Sequence, residues 1–162
     1  MTRLSMAGSL LAFVAAALPM TPGTEARAQN LDAHCASVGN DDRVKPIPAA
    51  LLPEARRLFG GGSGQSDAAL QASTVFRCMS GQVWLCNHGA NLTCAKGDVG
   101  RVSKGAIAWC KDHPGSDIVP MVATGHATIH TWTCVGSQAR IASSEKLDAR
   151  RFIAAQWTPL AR

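Results

Sequence analysis

The chain lacks most of the signatures that assign a chemistry. There is no Gly-x-Ser-x-Gly elbow to raise a serine nucleophile. There is no phosphate-cradling Gly-x-x-x-x-Gly-Lys-Ser/Thr either, because the glycine cluster at 60–64 lacks its lysine. Cys-x-x-Cys occurs nowhere, whereas structural zinc sites bring their ligands in close pairs. The basic residues are scattered, with only Arg56-Arg57 and Arg150-Arg151 adjacent, so no stripe tracks a phosphate backbone and nucleic acid is not an expected partner. After the first 20 residues no stretch of 18 apolar residues follows, which excludes an integral membrane helix from the rest of the chain.

What is present begins with a three-part export signal. Arg3 supplies the positive end, Met6 to Leu18 the apolar run, and Ala26-Arg27-Ala28 a small-residue cleavage site. The run is about 13 residues long and is broken by Pro19, short of the roughly 20 that a permanent membrane helix needs. Residues 1–28 are therefore expected to be a cleaved signal peptide, and 29–162 a single disulfide-stabilised domain, periplasmic or secreted. No cysteine stands just after the apolar run, so a lipid-anchored N-terminus is not expected. The leader removes Arg3, Glu25 and Arg27, and the charge falls from +5 to about +4.

Six cysteines remain: Cys35, Cys78, Cys86, Cys94, Cys110 and Cys134. An even count behind an export signal predicts up to three disulfides. Cys86 to Cys94 is the preferred local bridge, since both flank a turn-rich heptapeptide. Cys78 to Cys110 and Cys35 to Cys134 would complete the set, with the swapped pairing left open.

Local patterns predict an α+β fold, in which a small antiparallel sheet built from two hairpins is accompanied by short helices. Residues 29–46 are polar and read as an irregular arm tied down at Cys35. From Pro48 to Phe59 the spacing of Leu51, Ala55, Leu58 and Phe59 predicts a helix, with Pro53 in its first turn. Ser66 and Ser103 are expected caps of helices near 66–72 and 103–112, the second placing Ile107 and Cys110 on one side. From Thr74 the period becomes two, and 75–86 predicts a hairpin turning at Ser80-Gly81. Met79 facing Gln82 puts Cys78 opposite Val83 and Phe76 opposite Leu85, while Trp84 and Cys86 point to the other face. Residues 132–141 align without gaps on 76–85 and predict a second hairpin turning at Gly136-Ser137. Pro120 predicts an extended stretch, and Asp148 a cap for a short helix through Phe152 and Ile153, after which Trp157 docks.

Two constellations stand out. A bridge from Cys86 to Cys94 would make a small ring bearing Asn87, His88 and Asn91, a rigid presentation suited to contact with a partner. His126 and His130, four apart before Thr-x-Trp-x-Cys, are expected on one strand, roughly 13 Å apart and too far to share a metal ion. No cofactor and no metal are implied. A thiolate nucleophile beside His88, His126 or His130 would need an unpaired cysteine, which the even count disfavours.

Phe76-Arg77-Cys78-Met79-Ser80-Gly81, and again Trp132-Thr133-Cys134-Val135-Gly136 with its glycine one place early, resemble the aromatic-x-Cys-x-x-Gly signature of bacterial periplasmic inhibitors of C-type lysozyme. That resemblance implies a small disulfide-bonded β-barrel that inhibits another macromolecule, although this chain has no tyrosine. Gly-Ala-Asn-Leu-x-Cys and Thr-Gly-His-x-Thr-Ile are also similar to a group of exported, cysteine-containing proteobacterial proteins of no assigned activity. Together these readings imply a non-enzymatic binding protein, an inhibitor or scaffold acting on a protein or cell-envelope polymer. The contacts would be Asn87, His88, Asn91, His126 and His130, with Trp84 as an anchor if its face is uncovered. The alternative is a small exported hydrolase using His126 or His130.

Overall fold

The computed structural model describes residues 24–60, 64–89 and 92–160. The apolar run of the expected leader and Asn91 of the expected ring lie outside them. Among the described residues no helix is long and apolar enough to cross a membrane.

Two sheets carry the fold. The chain runs through α1 (Thr24–Val38), β1 (Asp41–Pro46), a 3-10 turn (Ala49–Leu51), α2 (Leu52–Phe59), α3 (Asp67–Ser73), β2 (Thr74–Met79) and β3 (Gln82–Asn87). It continues with α4 (Lys104–Asp112), a single turn α5 (Met121–Thr124), β4 (His130–Val135), β5 (Gln138–Ser144), a second 3-10 turn (Ala154–Gln156) and β6 (Thr158–Pro159). The first sheet has the order β1-β2-β3-β6 and the second pairs β4 with β5. Each predicted hairpin therefore forms, but in its own sheet, and neither sheet closes into a barrel.

The hairpin registers follow from the alternation. Cys78 faces Val83, Phe76 faces Leu85 and Met79 faces Gln82. In the second hairpin Trp132 faces Ile141 and Cys134 faces Ala139. Ser80 and Gly81 take φ of 52° and 77°, the paired positive values that match a two-residue turn to strand twist. The capping serines also act as expected: Ser66 Oγ accepts from Ala69 N–H at 3.2 Å, and Ser103 Oγ from Ala106 N–H at 3.1 Å.

Four expectations are corrected. The polar stretch 29–46 is not an irregular arm but α1 followed by β1, because Gly39, at φ 69°, ends the helix and turns the chain into a strand. Its charges are satisfied by ion pairs, Arg43 and Lys45 with Asp41, and Lys96 and Arg150 with Asp42. On α4 the inward face is Ala106 and Cys110, four apart, while Ile107 is exposed. Pro120 is itself extended but opens the turn α5. Asp148 caps no helix: its Oδ1 accepts from Arg150 N–H and Phe152 N–H in a tight turn that Arg151, at φ 71°, prevents from becoming helical.

All six cysteines are bridged. Cys86 pairs with Cys94 as expected, but the others pair as Cys35–Cys78 and Cys110–Cys134, not Cys78–Cys110 and Cys35–Cys134. The reason is packing: α1 lies on the first hairpin and α4 on the second, so each helix cysteine meets the strand beneath it. Loops of 43, 24 and 8 residues are closed, and chain entropy makes these bridges worth about 4, 3.5 and 2.5 kcal/mol.

Three apolar clusters result. The first lies between α1, α2, α3 and one face of the large sheet, around Leu51, Leu70, Phe76 and Leu85. The second covers the opposite face of that sheet with Phe152 and Trp157 over Val75 and Cys86. The third joins α4 to the second hairpin through Trp132 and Val119. Fully burying a leucine such as Leu70 or Leu85 contributes about 1.5–3 kcal/mol.

Candidate functional site

The ring between Cys86 and Cys94 continues β3 beyond its last ladder pair. Asn87 anchors it from inside: its amide donates to Ser73 Oγ and to Thr74 Oγ1, both at 2.8 Å, and Thr74 Oγ1 donates onward to Leu70 O at 2.7 Å. With both donor hydrogens spent on the scaffold, Asn87 holds the ring in place. His88 N–H donates to Ser73 O at 2.9 Å, fixing the backbone while the side chain stays exposed. The chain then turns at Gly89, whose carbonyl accepts from Leu92 N–H at 3.3 Å.

His126 comes to the same place from a distant part of the chain. It follows Gly125, which at φ 90° adopts a backbone that side-chain-bearing residues rarely take, and it precedes β4. Together His88, Gly89, Leu92, Thr93 and His126 line an open cleft of about 460 Å³. Two exposed imidazoles thus share the cleft with an apolar leucine and a threonine. This is a surface of mixed hydrogen-bonding and apolar character, and among the described residues no group of three or more metal-ligating side chains forms.

His130 is not part of that cleft. It opens β4 with its ring buried, 7% exposed, in edge contact with Trp132. Its Nε2 lies 3.3 Å from Val99 O, which only accepts, so Nε2 carries a proton, and in the neutral tautomer Nδ1 accepts from Ser144 Oγ at 2.7 Å. His130 and Ser144 are directly opposed in the β4–β5 ladder, so the contact is a cross-strand pair. On its other side His130 lines a second cavity of about 370 Å³ with Ile118, Val119, Pro120, Met121, Thr124 and Thr131.

Trp84, the conditional anchor, has its face covered: it packs against the cluster of Phe152 and Trp157, and its Nε1–H donates to Met79 O at 3.1 Å. What covers that face is a feature the sequence reading missed. Arg77, wholly buried, packs against the Phe152 and Trp157 rings, 4.1 and 4.6 Å from their centroids, and is paired with Asp148. Burial pulls the Arg77 guanidinium below the usual arginine range, and Asp148 opposes that pull. Beside it the Arg150 hydrogen bonds, with help from Lys96, hold the Asp42 carboxyl below its ordinary range against partial burial. The signal available in the sequence was an arginine inside an apolar strand whose two faces both carried large side chains.

No family model, no curated protein and no solved structure matches this chain.

Proposed function

We propose that the protein is an exported, non-enzymatic binding protein, acting in the periplasm or outside the cell as an inhibitor of, or scaffold for, another protein or a cell-envelope polymer. The observation that carries this reading is the convergence of His88 and His126 on one open cleft beside a disulfide ring. The Cys86–Cys94 bridge already restricts the chain between its ends, which lowers the entropy lost on binding and favours affinity. Leu92 and Thr93, which line the same cleft, supply apolar contact and a hydroxyl. With every cysteine bridged, no thiol is left to act as a nucleophile at this cleft.

The test is site-specific photocrosslinking of the full exported chain, with a photoreactive residue replacing His88 or, separately, His126. One adduct, shared by both positions and lost when Leu92→Asp is added, is the expected result. No adduct from either position, or the same adduct from a control position at Arg57 on α2, overturns the reading.

A second reading, a small hydrolase, rests on the 2.7 Å contact of His130 with Ser144. The tautomer is the one a base needs to receive a serine proton. However, the adjacent Glu145 N–H already donates to Ile129 O at 2.7 Å, so it is not available to stabilise an oxyanion. Labelling of Ser144 by a fluorophosphonate, lost in His130→Ala, would favour this reading over the first.

A further inference from the structure

The second hairpin repeats the first in more than sequence. Cys35 on α1 bonds Cys78 on β2, and Cys110 on α4 bonds Cys134 on β4. Each helix is followed by a glycine in the left-handed region, Gly39 at φ 69° and Gly115 at φ 76°. Each of these is tied to the glycine of its hairpin turn: Gly81 N–H donates to Gly39 O at 2.8 Å, and Gly115 N–H donates to Gly136 O at 3.0 Å. A strip of chain then lines the first strand. It is β1 beside β2, and residues 116–119 beside β4, where Val119 N–H donates to Trp132 O and Cys134 N–H to Ser116 O, both at 2.8 Å. Helix, strip and hairpin recur in the same order.

The copies differ at the far edge. In the first, β6 closes β3: Trp84 and Leu85 pair with Pro159 and Thr158, and Leu160 N–H donates to Val83 O at 2.8 Å. In the ungapped alignment Val83 and Leu85 correspond to Ala139 and Ile141. Trp132 and Cys134 spend their backbone groups on the 116–119 strip, so the residues opposite them, Ile141 and Ala139, stand in the non-hydrogen-bonded positions of the β4–β5 ladder. Their N–H and C=O groups therefore point away from β4. Among the described residues no strand pairs with this edge. Such an edge is a template for strand addition.

We infer that the outer edge of β5 receives an extended segment of a partner protein, with a carboxylate facing Arg140 between two apolar residues. Arg140 stands between Ala139 and Ile141 on the exposed face, where it hydrogen-bonds Gln138. A second copy of β5 is a poor occupant: the antiparallel register that satisfies Ala139 and Ile141 of both copies sets Arg140 directly against Arg140. An acidic residue there reverses the sign, and the net charge of about +4 expected without the leader adds attraction for an acidic segment. On the other face Ala139 and Ile141 pack half-buried in the α4 cluster, so the residues flanking the acid meet an apolar floor. In the first sheet Leu160, just beyond β6, is likewise buried in the cluster beneath that sheet.

The experiment follows backbone amides by NMR in the disulfide-intact protein during titration with the blocked pentapeptide Thr-Val-Glu-Val-Thr. The expected result is slowed exchange at Ala139 and Ile141, at least tenfold weaker binding when lysine replaces the glutamate, and no change in His88→Ala. Ala139→Pro removes one outward N–H without touching a bond to β4 and should abolish binding. Arg140→Glu keeps the fold and should reverse the preference to the lysine peptide. Equal binding of both peptides, protection at other amides, no binding at millimolar peptide, or protection of Ala139 and Ile141 by self-association would each overturn the inference.

Discussion

Replacing Asp148 by asparagine isolates one charge in the structure. Arg77 is 0% exposed, and its Nε and Nη1 atoms have no hydrogen-bond partner among the described residues, so Asp148 is the carboxylate bonded to it, with Asp42 acting at longer range. Asparagine keeps an oxygen to accept from Arg150 N–H and Phe152 N–H, so the turn survives while the negative charge is lost. Leaving a buried charge without its partner costs about 3–5 kcal/mol. The Phe152 and Trp157 faces remain and offset part of that, which places the expected loss near 3 kcal/mol. For a domain of this size the melting temperature should fall by roughly 10 °C. The assay is urea unfolding at neutral pH with disulfides intact, checked for an unchanged slope. A companion, Arg77→Met with Asp148→Asn, removes both charges, and a well-packed apolar replacement is often close to neutral, so the double variant should recover most of the loss. The reasoning is refuted if Asp148→Asn costs less than about 1 kcal/mol, or if the double variant is less stable than the single.

Acid sensitivity and helix contact supply two more predictions. Because the Asp42 carboxyl is held below its ordinary value in the folded state, its contribution is complete above the unfolded pKa of about 4 and is lost as pH falls through the folded value. Asp42→Asn should therefore be less stable than the parent at neutral pH and lose less on acidification; superimposable unfolding-versus-pH curves would contradict this. Gly105→Ala should destabilise although alanine is the better helix former, because the added Cβ would lie 1.7 Å from Ala123 O, a backbone atom that moves only with α5. A loss of about 1–3 kcal/mol is expected, and a rise in the melting temperature would show that α5 yields freely.

Residues 76–85 show how much is determined by the sequence alone. Side chains alternate at every residue, and a two-residue turn fixes the pairing, so the register of each hairpin, the Ser66 and Ser103 caps and the Cys86–Cys94 bridge are consequences of short-range geometry. The same locality explains what stayed hidden. Asp41, Asp42, Arg43 and Lys45 look like a solvated arm until Lys96 and Arg150 arrive from elsewhere in the chain. Arg77 looks surface-directed until Asp148, 71 residues away, and Trp157 cover its face of the sheet. His88 and His126 share a cleft, and His126 and His130 do not, because the chain turns at His126-Ala127 and β4 begins only at His130. Cys35 and Cys110 chose their partners through the hairpin each helix packs on. Local stereochemistry and periodicity decide elements and registers, whereas burial, ion pairing and bridge choice depend on which surfaces meet, and that is settled by the tertiary fold.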